Sequence, residues 1–392
     1  MHSLRRPVWL VVVAIALVSG ACNGRSTATS SWLGSPDEVA PGVEFYRTSD
    51  TSLLEPAGPV AAYLLRLDPS KVRLDAALAH GQIMGAERVD EIAARNGAIA
   101  AVNGGFFNVK NGEPIGLLKV AGELVSDNGP LKGAVIIRAP PKERTSLLFD
   151  LIAARMTLRF TIAGRERVVP IDGVDTTRAR GKLMIFTPAY HEDTDTAANG
   201  VEWILDGQPL RVVDIQTNVG RARIPRNGAA LSFGGLDLPE ALAALAEGTE
   251  VKLETTWRTA ADVPIEHLEK ADHIVNGAGL LRRNGEMIAN WDEENLKADT
   301  FTHVRHPRTL IGVDNYGFFW LAAIDGRQPE YSVGMTFAEL QRLADRLQLR
   351  DALNLDGGGS TTMVVTGKVV NRPSDPTGPR PVSDAIVVSK RD

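Results

Sequence analysis

The ten residues NLDGGGSTTM, Asn354 to Met363, set one carboxylate, three consecutive glycines and three hydroxyls directly after the apolar run DALNL. The run reads as a buried strand. Glycine lets the turn after it bend sharply or approach a ligand with no Cβ in the way, at an entropic cost that an ordinary surface loop does not bear. Something therefore lies close to this loop. The residues alone leave four readings open: a phosphate cradled by backbone N–H groups, a sugar held by Asp356, a nucleophilic Ser360, or only a tight turn. GGGST departs from the G-x-S-x-G nucleophile elbow, because Thr362 stands where the last glycine belongs. No Gly-Lys-Ser or Gly-Lys-Thr follows, so a Walker-type loop fails as well.

Much of the chain has the same rhythm of short apolar or alternating runs closed by Gly, Pro, Asn or Asp. GPVAAYLLRLDP and KVRLDAALA read as consecutive strands, and AIAAVNGGFF as a buried strand ending at Asn103, Gly104 and Gly105. GLLKVAGELVSD reads as a hairpin turning at Ala121 and Gly122, and TLIGVD and FFWLAAID as two strands joined at Asn315 to Gly317. Helical spacing is confined to GAERVDEIAARNG, LDLPEALAALAEG and TFAELQRLADRLQL. In the last, Phe337, Leu340, Leu343 and Leu347 share a face and Thr336 is the N-cap candidate. The expected fold is α+β, with mixed sheets flanked by helices. The folded part is expected at 43–392, with a middle subdomain at about 140–272 whose strands follow no fixed repeat.

A formal net charge of −5 argues against general attraction to nucleic acid or anionic lipid. The N-terminus carries Arg5 and Arg6, an apolar run from Val8 to Val18, then Ser19, Gly20 and Ala21 before Cys22, which is the pattern of a secretory signal. That run is shorter than the roughly 20 residues a spanning helix needs. VSGAC resembles a bacterial lipobox, which implies cleavage before Cys22 and lipidation of its thiol. The expected organisation is a signal at 1–22, a tether at 23–42, and a domain anchored in the cell envelope. Cys22 is the sole cysteine, so no internal disulfide forms. HEDTDTAANG lacks the EF-hand pattern and reads as a solvated loop. The residues require no cofactor. Calcium or magnesium stays open, because Asp, Asn and carbonyl ligands leave little sequence signature.

AAVNGGFF, VNGAGLL, HPRTLIGVD, ALNLDGGGSTTMVV and VVNRPSDPTGPRPVSDAIVV occur in that order between Pro59 and Ser389. Together they resemble the phosphodiester glycosidase family, whose bacterial branch is associated with exopolysaccharide. The resemblance implies hydrolysis of a sugar-1-phosphodiester at the glycosidic bond, with a phosphomonoester left behind. Glycoside cleavage commonly uses two carboxyl groups, but a phosphate leaving group lowers the demand for a general acid. The implied catalytic carboxylates are Asp356 first, Asp314 second and Glu113 third. Arg308 and the amides of Gly357, Gly358 and Gly359 are the implied phosphate ligands. Asn103, Gly104, Gly105, Asn276, Gly277, His306, Thr309 and Ser360 complete the substrate-binding set. Two other functions stay open: a phosphodiesterase using Ser360 at phosphorus, and a polysaccharide-binding lipoprotein without turnover.

Overall fold

The computed structural model describes residues 32–141, 143–260 and 263–391. The signal at 1–22, the lipidation expected at Cys22 and the first part of the tether lie outside the described residues. The rest of the tether belongs to the fold. Leu33 is buried, and the strand Asp37–Ala40 pairs with Val43–Thr48 around a turn at Gly42, so the domain starts before Val43.

The chain is richer in β structure than expected. Its strands form an eight-stranded, a seven-stranded and two five-stranded sheets. Nearly every ladder is antiparallel, the exception among named strands being Gly173–Val174 beside Leu183–Phe186. Helices are few and short. LDLPEALAALAEG gives only Glu240–Ala243, because the Leu245 carbonyl accepts from the Trp203 indole and the chain then turns into the strand Val251–Thr259. A tertiary contact overrides helix propensity there. TFAELQRLADRLQL does form a helix, Phe337–Arg346. Thr336 Oγ1 accepts from the Glu339 amide at 3.2 Å and Glu339 Oε2 accepts from the Thr336 amide at 2.9 Å, a reciprocal cap contributing about 1 kcal/mol.

Two cores use the two faces of the eight-stranded sheet. On one face, Leu64, Leu310, Trp320 and Ala322 pack against Phe337, Leu340 and Leu343 of that helix. On the other, Leu65, Ile311, Leu321 and Leu353 meet Leu74, Val102, Met363 and Ile386 of a five-stranded sheet. Successive residues of a strand face opposite ways, so Leu310 and Ile311 serve different cores. This alternation later decides the fate of Arg308.

The middle region shares its packing with the rest. Its strand Ser146–Ile162 pairs with Asn128–Arg138, and Met184, Phe186, Tyr190 and Ile204 belong to the same core as Leu353. The expected subdomain is thus continuous with the main body, and only the sheet of strands 173–234 falls wholly within it. Among the described residues no helix is long and apolar enough to cross a membrane.

Candidate active site

Four strand ends meet at one place. Ala100–Asn103 and Asp384–Lys390 are neighbours in a five-stranded sheet, while Arg308–Asp314 and Leu349–Asn354 are neighbours in the eight-stranded sheet. Asn103, fully buried, fastens the two sheets together. Its Nδ2 donates to the Asp356 carbonyl at 2.8 Å, and its Oδ1 accepts from Thr309 Oγ1 at 2.7 Å and from the Thr362 amide at 3.2 Å. A buried carboxamide with three partners is a locating device. Asn103 and Thr309 hold the loop; they do not reach for a ligand.

Two carboxyl groups flank Gly104. Its carbonyl accepts from the Asp356 amide at 3.1 Å, and its own amide donates to the Asp384 carbonyl at 3.0 Å. A Cβ at this position would collide with Asp384 Oδ1, so only glycine lets that carboxyl group pack here. Asp384 is buried, accepting from the Gly105 amide at 3.0 Å and from Ser383 Oγ at 2.5 Å. Burial pushes its pKa up against those two hydrogen bonds. Asp356 is pushed up to about 6, first by burial and further by the Asp384 charge. The Ser360 hydroxyl, the Gly357 amide and the Arg380 charge pull the other way.

Ser360 Oγ lies beside the Asp356 carboxyl but completes no hydrogen bond in good geometry. Thr362 Oγ1 and Asn354 Oδ1 are likewise buried without a partner. Unpaired buried polar atoms cost about 1–3 kcal/mol each. Ser360 and Thr362, both on the glycine loop, point to groups kept for a ligand, whereas Asn354 shares the helix-facing side of its strand with Ala352.

The glycine loop carries guanidinium groups. Its expected role as an amide cradle is corrected at two positions: the Gly357 amide donates to Asp356 Oδ1 at 2.8 Å and the Gly358 amide to the Pro307 carbonyl at 2.9 Å. Arg327 lies over Gly358, and the ion pair of Arg380 with Asp375, at 2.8 Å, lies against Gly359. A Cβ on Gly359 would run into both members of that pair.

Three expected ligands or catalysts sit elsewhere. Arg308 shares the strand face of Leu310, turned away from the loop. Its guanidinium donates to the carbonyls of Met335, Phe301 and Val304 at 2.9, 2.6 and 3.0 Å, and it packs against the rings of Phe301 and Phe337, which touch each other edge to face. Burial lowers its pKa to about 9, and the Arg327 charge acts in the same direction. Arg308 is thus a buried tie, not a phosphate ligand. Asp314 ends the same strand, roughly 20 Å from Arg308 at ~3.3 Å per residue, and accepts from the Tyr316 and Phe318 amides and the Trp320 indole. Glu113 accepts from Thr176, Thr177 and Tyr190 hydroxyls, tying its loop to the middle region. Neither carboxylate joins Asp356.

Asn276 and Gly277 are supports. Asn276 Nδ2 donates to the Gly133 carbonyl at 3.2 Å and its Oδ1 accepts from the Leu117 amide, while a Cβ on Gly277 would strike the Asn354 carbonyl. His306 does belong to the site, with Nδ1 at 3.4 Å from Arg327 Nη2 and Nε2 at 3.2 Å from the Thr300 carbonyl.

Sequence reasoning missed Asp384, Ser383, Arg327, Arg380 and Asp375. Asp384 had a readable signal: a polar residue at the edge of the apolar run AIVV, just as Asn103 closes AAV. The arginines had none, because side-chain reach depends on the loop's path.

The sequence model of the phosphodiester glycosidase family matches residues 199–389. N-acetylglucosamine-1-phosphodiester alpha-N-acetylglucosaminidase of Bos taurus is 30% identical over 110 residues, which are 26% of this chain and 20% of the bovine protein. Its Homo sapiens counterpart is 31% identical over 110 residues, 26% of this chain and 21% of the human protein. The match spans about a fifth of the length of these relatives. Among solved structures, a hypothetical protein from Synechocystis aligns over 89% of this chain and 62% of its own, with TM-score 0.72 and 20% identity. A protein from Burkholderia pseudomallei aligns over 85% and 74%, with TM-score 0.72 and 23% identity. These two share the fold. Over residues 199–389, just under half of its length, the chain is thus similar to the phosphodiester glycosidase family, and the mammalian relatives that resemble about a quarter of it are glycosidases by name.

Proposed function

We propose that the chain hydrolyses the glycosidic bond of a sugar-1-phosphodiester, releasing the sugar and leaving a phosphomonoester. The observation that carries this reading is Asp356: a carboxyl group with its pKa near 6, on a loop fixed from two sheets, beside the buried unpaired hydroxyls of Ser360 and Thr362. Ionised, it can attack or stabilise an anomeric carbon as positive charge develops there. The hydroxyls orient the sugar by donating to its oxygens. The phosphate leaves as an anion and needs no strong general acid, which agrees with a site whose second carboxyl, Asp384, is buried and hydrogen-bonded behind the first. The mammalian relatives are named for an N-acetylglucosamine-1-phosphodiester, and a glycosyl phosphodiester of that type is the substrate class proposed here.

The signal-like leader and Cys22 support a lipid-anchored enzyme outside the cytoplasmic membrane, acting in envelope or extracellular polysaccharide metabolism. Attack by Ser360 at phosphorus is the weaker reading, because among the described residues no histidine bonds Ser360 Oγ and the loop lacks the G-x-S-x-G elbow.

Turnover of a panel of sugar-1-phosphodiesters in oxygen-18 water tests this. Label in the released sugar supports cleavage at the anomeric carbon. Label in the phosphate shows attack at phosphorus. Intact binding with no turnover across the panel turns the reading to a binding protein.

A further inference from the structure

Two guanidinium groups stand against the glycine loop, those of Arg327 and Arg380, while that of Arg308 is turned to the other side of its strand. Arg308 is bonded to three carbonyls and packed against two rings, and Arg380 is paired with Asp375. Arg327 differs. Among the described residues no carboxylate pairs with it; its hydrogen-bond partner is His306 Nδ1, and its guanidinium rests over Gly358.

The arrangement around Arg327 is specific. With Nε2 of His306 donating to the Thr300 carbonyl, Nδ1 is left as an acceptor toward Arg327, which requires the neutral ring. Burial lowers the His306 pKa, and the charges of Arg308 and Arg327 lower it further, so the ring keeps that form near neutrality. The loop beneath is firmly held. Asp325 accepts from Asn371 Nδ2 and the Arg372 amide, both at 2.8 Å, and from Tyr331 at 3.1 Å, while Ser332 Oγ donates to the Asp325 carbonyl at 2.6 Å. Arg327 itself sits at φ +59, a left-handed backbone that costs a non-glycine residue about 1–2 kcal/mol. An exposed guanidinium with no carboxylate partner among the described residues is thus held on a braced loop against Gly358, two residues along the chain from both Asp356 and Ser360.

Resting on the proposed glycosidase reading, we propose that Arg327 binds the phosphoryl oxygens of the substrate, so that the same subsite retains the phosphomonoester product. Guanidinium suits this because its planar donors match two oxygens of one phosphate. The role expected of Arg308 passes to Arg327, on the loop side of the sheet.

Isothermal titration of inorganic phosphate into the full chain tests the subsite without turnover. Wild type binds phosphate. Arg327→Ala weakens binding at least tenfold, and so does Arg327→Gly, which relaxes the left-handed backbone and so separates loss of the guanidinium from loss of fold. Arg372→Ala, removing a nearby cation that lies over Tyr331, leaves affinity within twofold. Absence of phosphate binding in wild type, or wild-type affinity in Arg327→Gly, overturns the proposal whatever the isotope experiment shows. Loss of phosphate binding in Arg327→Gly alongside no glycosidic cleavage upholds the subsite and removes the glycosidase reading instead.

Discussion

Asn103 and Asp356 are joined by a 2.8 Å hydrogen bond from the buried carboxamide of one to the backbone carbonyl of the other. The carboxylate loop is therefore positioned by its main chain, so the Asp356 carboxyl, which accepts from the Gly357 amide, is not needed to hold the loop to Asn103. Asn103→Ala strands three partners at once, the Asp356 carbonyl, the Thr309 hydroxyl and the Thr362 amide. Chemical denaturation should show a loss of about 2–4 kcal/mol, with turnover falling even where the variant is folded.

Asp356→Asn should cost turnover at least about 100-fold, within the range for a positioned catalytic acid or base. Its effect on stability should have the opposite sign. The folded state raises the pKa from 3.8 to about 6, so it favours the protonated carboxyl. That contribution is present below about pH 4 and is lost as pH rises through 6. At pH 7 the ionised group opposes folding by an amount on the order of 3 kcal/mol. Thermal melts of Asp356→Asn should therefore match or exceed wild type at pH 7, an advantage that fades toward pH 4. A lower melting temperature at pH 7 would contradict this account.

The same pKa sets the acid limb of activity. If ionised Asp356 is required, kcat/KM falls about tenfold per pH unit below pH 6. Because the Asp384 charge contributes to the upward shift, Asp384→Asn should move that limb to lower pH. An unmoved limb in that variant would separate the two carboxyls.

Gly359→Ala places a methyl group where the Arg380–Asp375 pair lies. We expect turnover to drop tenfold or more while far-ultraviolet circular dichroism stays unchanged. Retained activity would show that the pair can move aside without cost.

Arg308→Ala should act on stability and not on substrate affinity. It leaves three carbonyls without their donor and a cavity beside the Phe301–Phe337 pair, at a cost of about 3–5 kcal/mol. KM measured on the folded fraction should stay within about threefold of wild type. A large KM rise would return Arg308 to the phosphate end.

The strands around Asn103 and Asp356 were legible because their apolar runs are short and end at glycine, and the loop betrayed itself by its composition. Strand alternation was the piece left unused: placing Leu310 against the helix would have put Arg308 there too, and Thr309 with Ile311 toward the loop. The fold's β-rich character was partly hidden by alanine-rich LDLPEALAALAEG, where Trp203 claims a carbonyl that a longer helix would have used. Arg327 was beyond reach of pattern reading. Its importance depends on Asp325 and Asn371, 46 positions apart, shaping one loop.

The bond between Asn103 and Asp356 spans 253 positions, and the strand beginning at Asp384 sits between Val72–Leu78 and Ala100–Asn103. Contacts of such sequence separation form slowly, since a long loop must close before they repay its entropy. A chain made from its N-terminus holds Asn103 early and Asp384 near the end of synthesis. The candidate site is therefore completed last, and a chain cut short before Asp384 carries Asn103 and Asp356 without the strand that joins Val72–Leu78 to Ala100–Asn103.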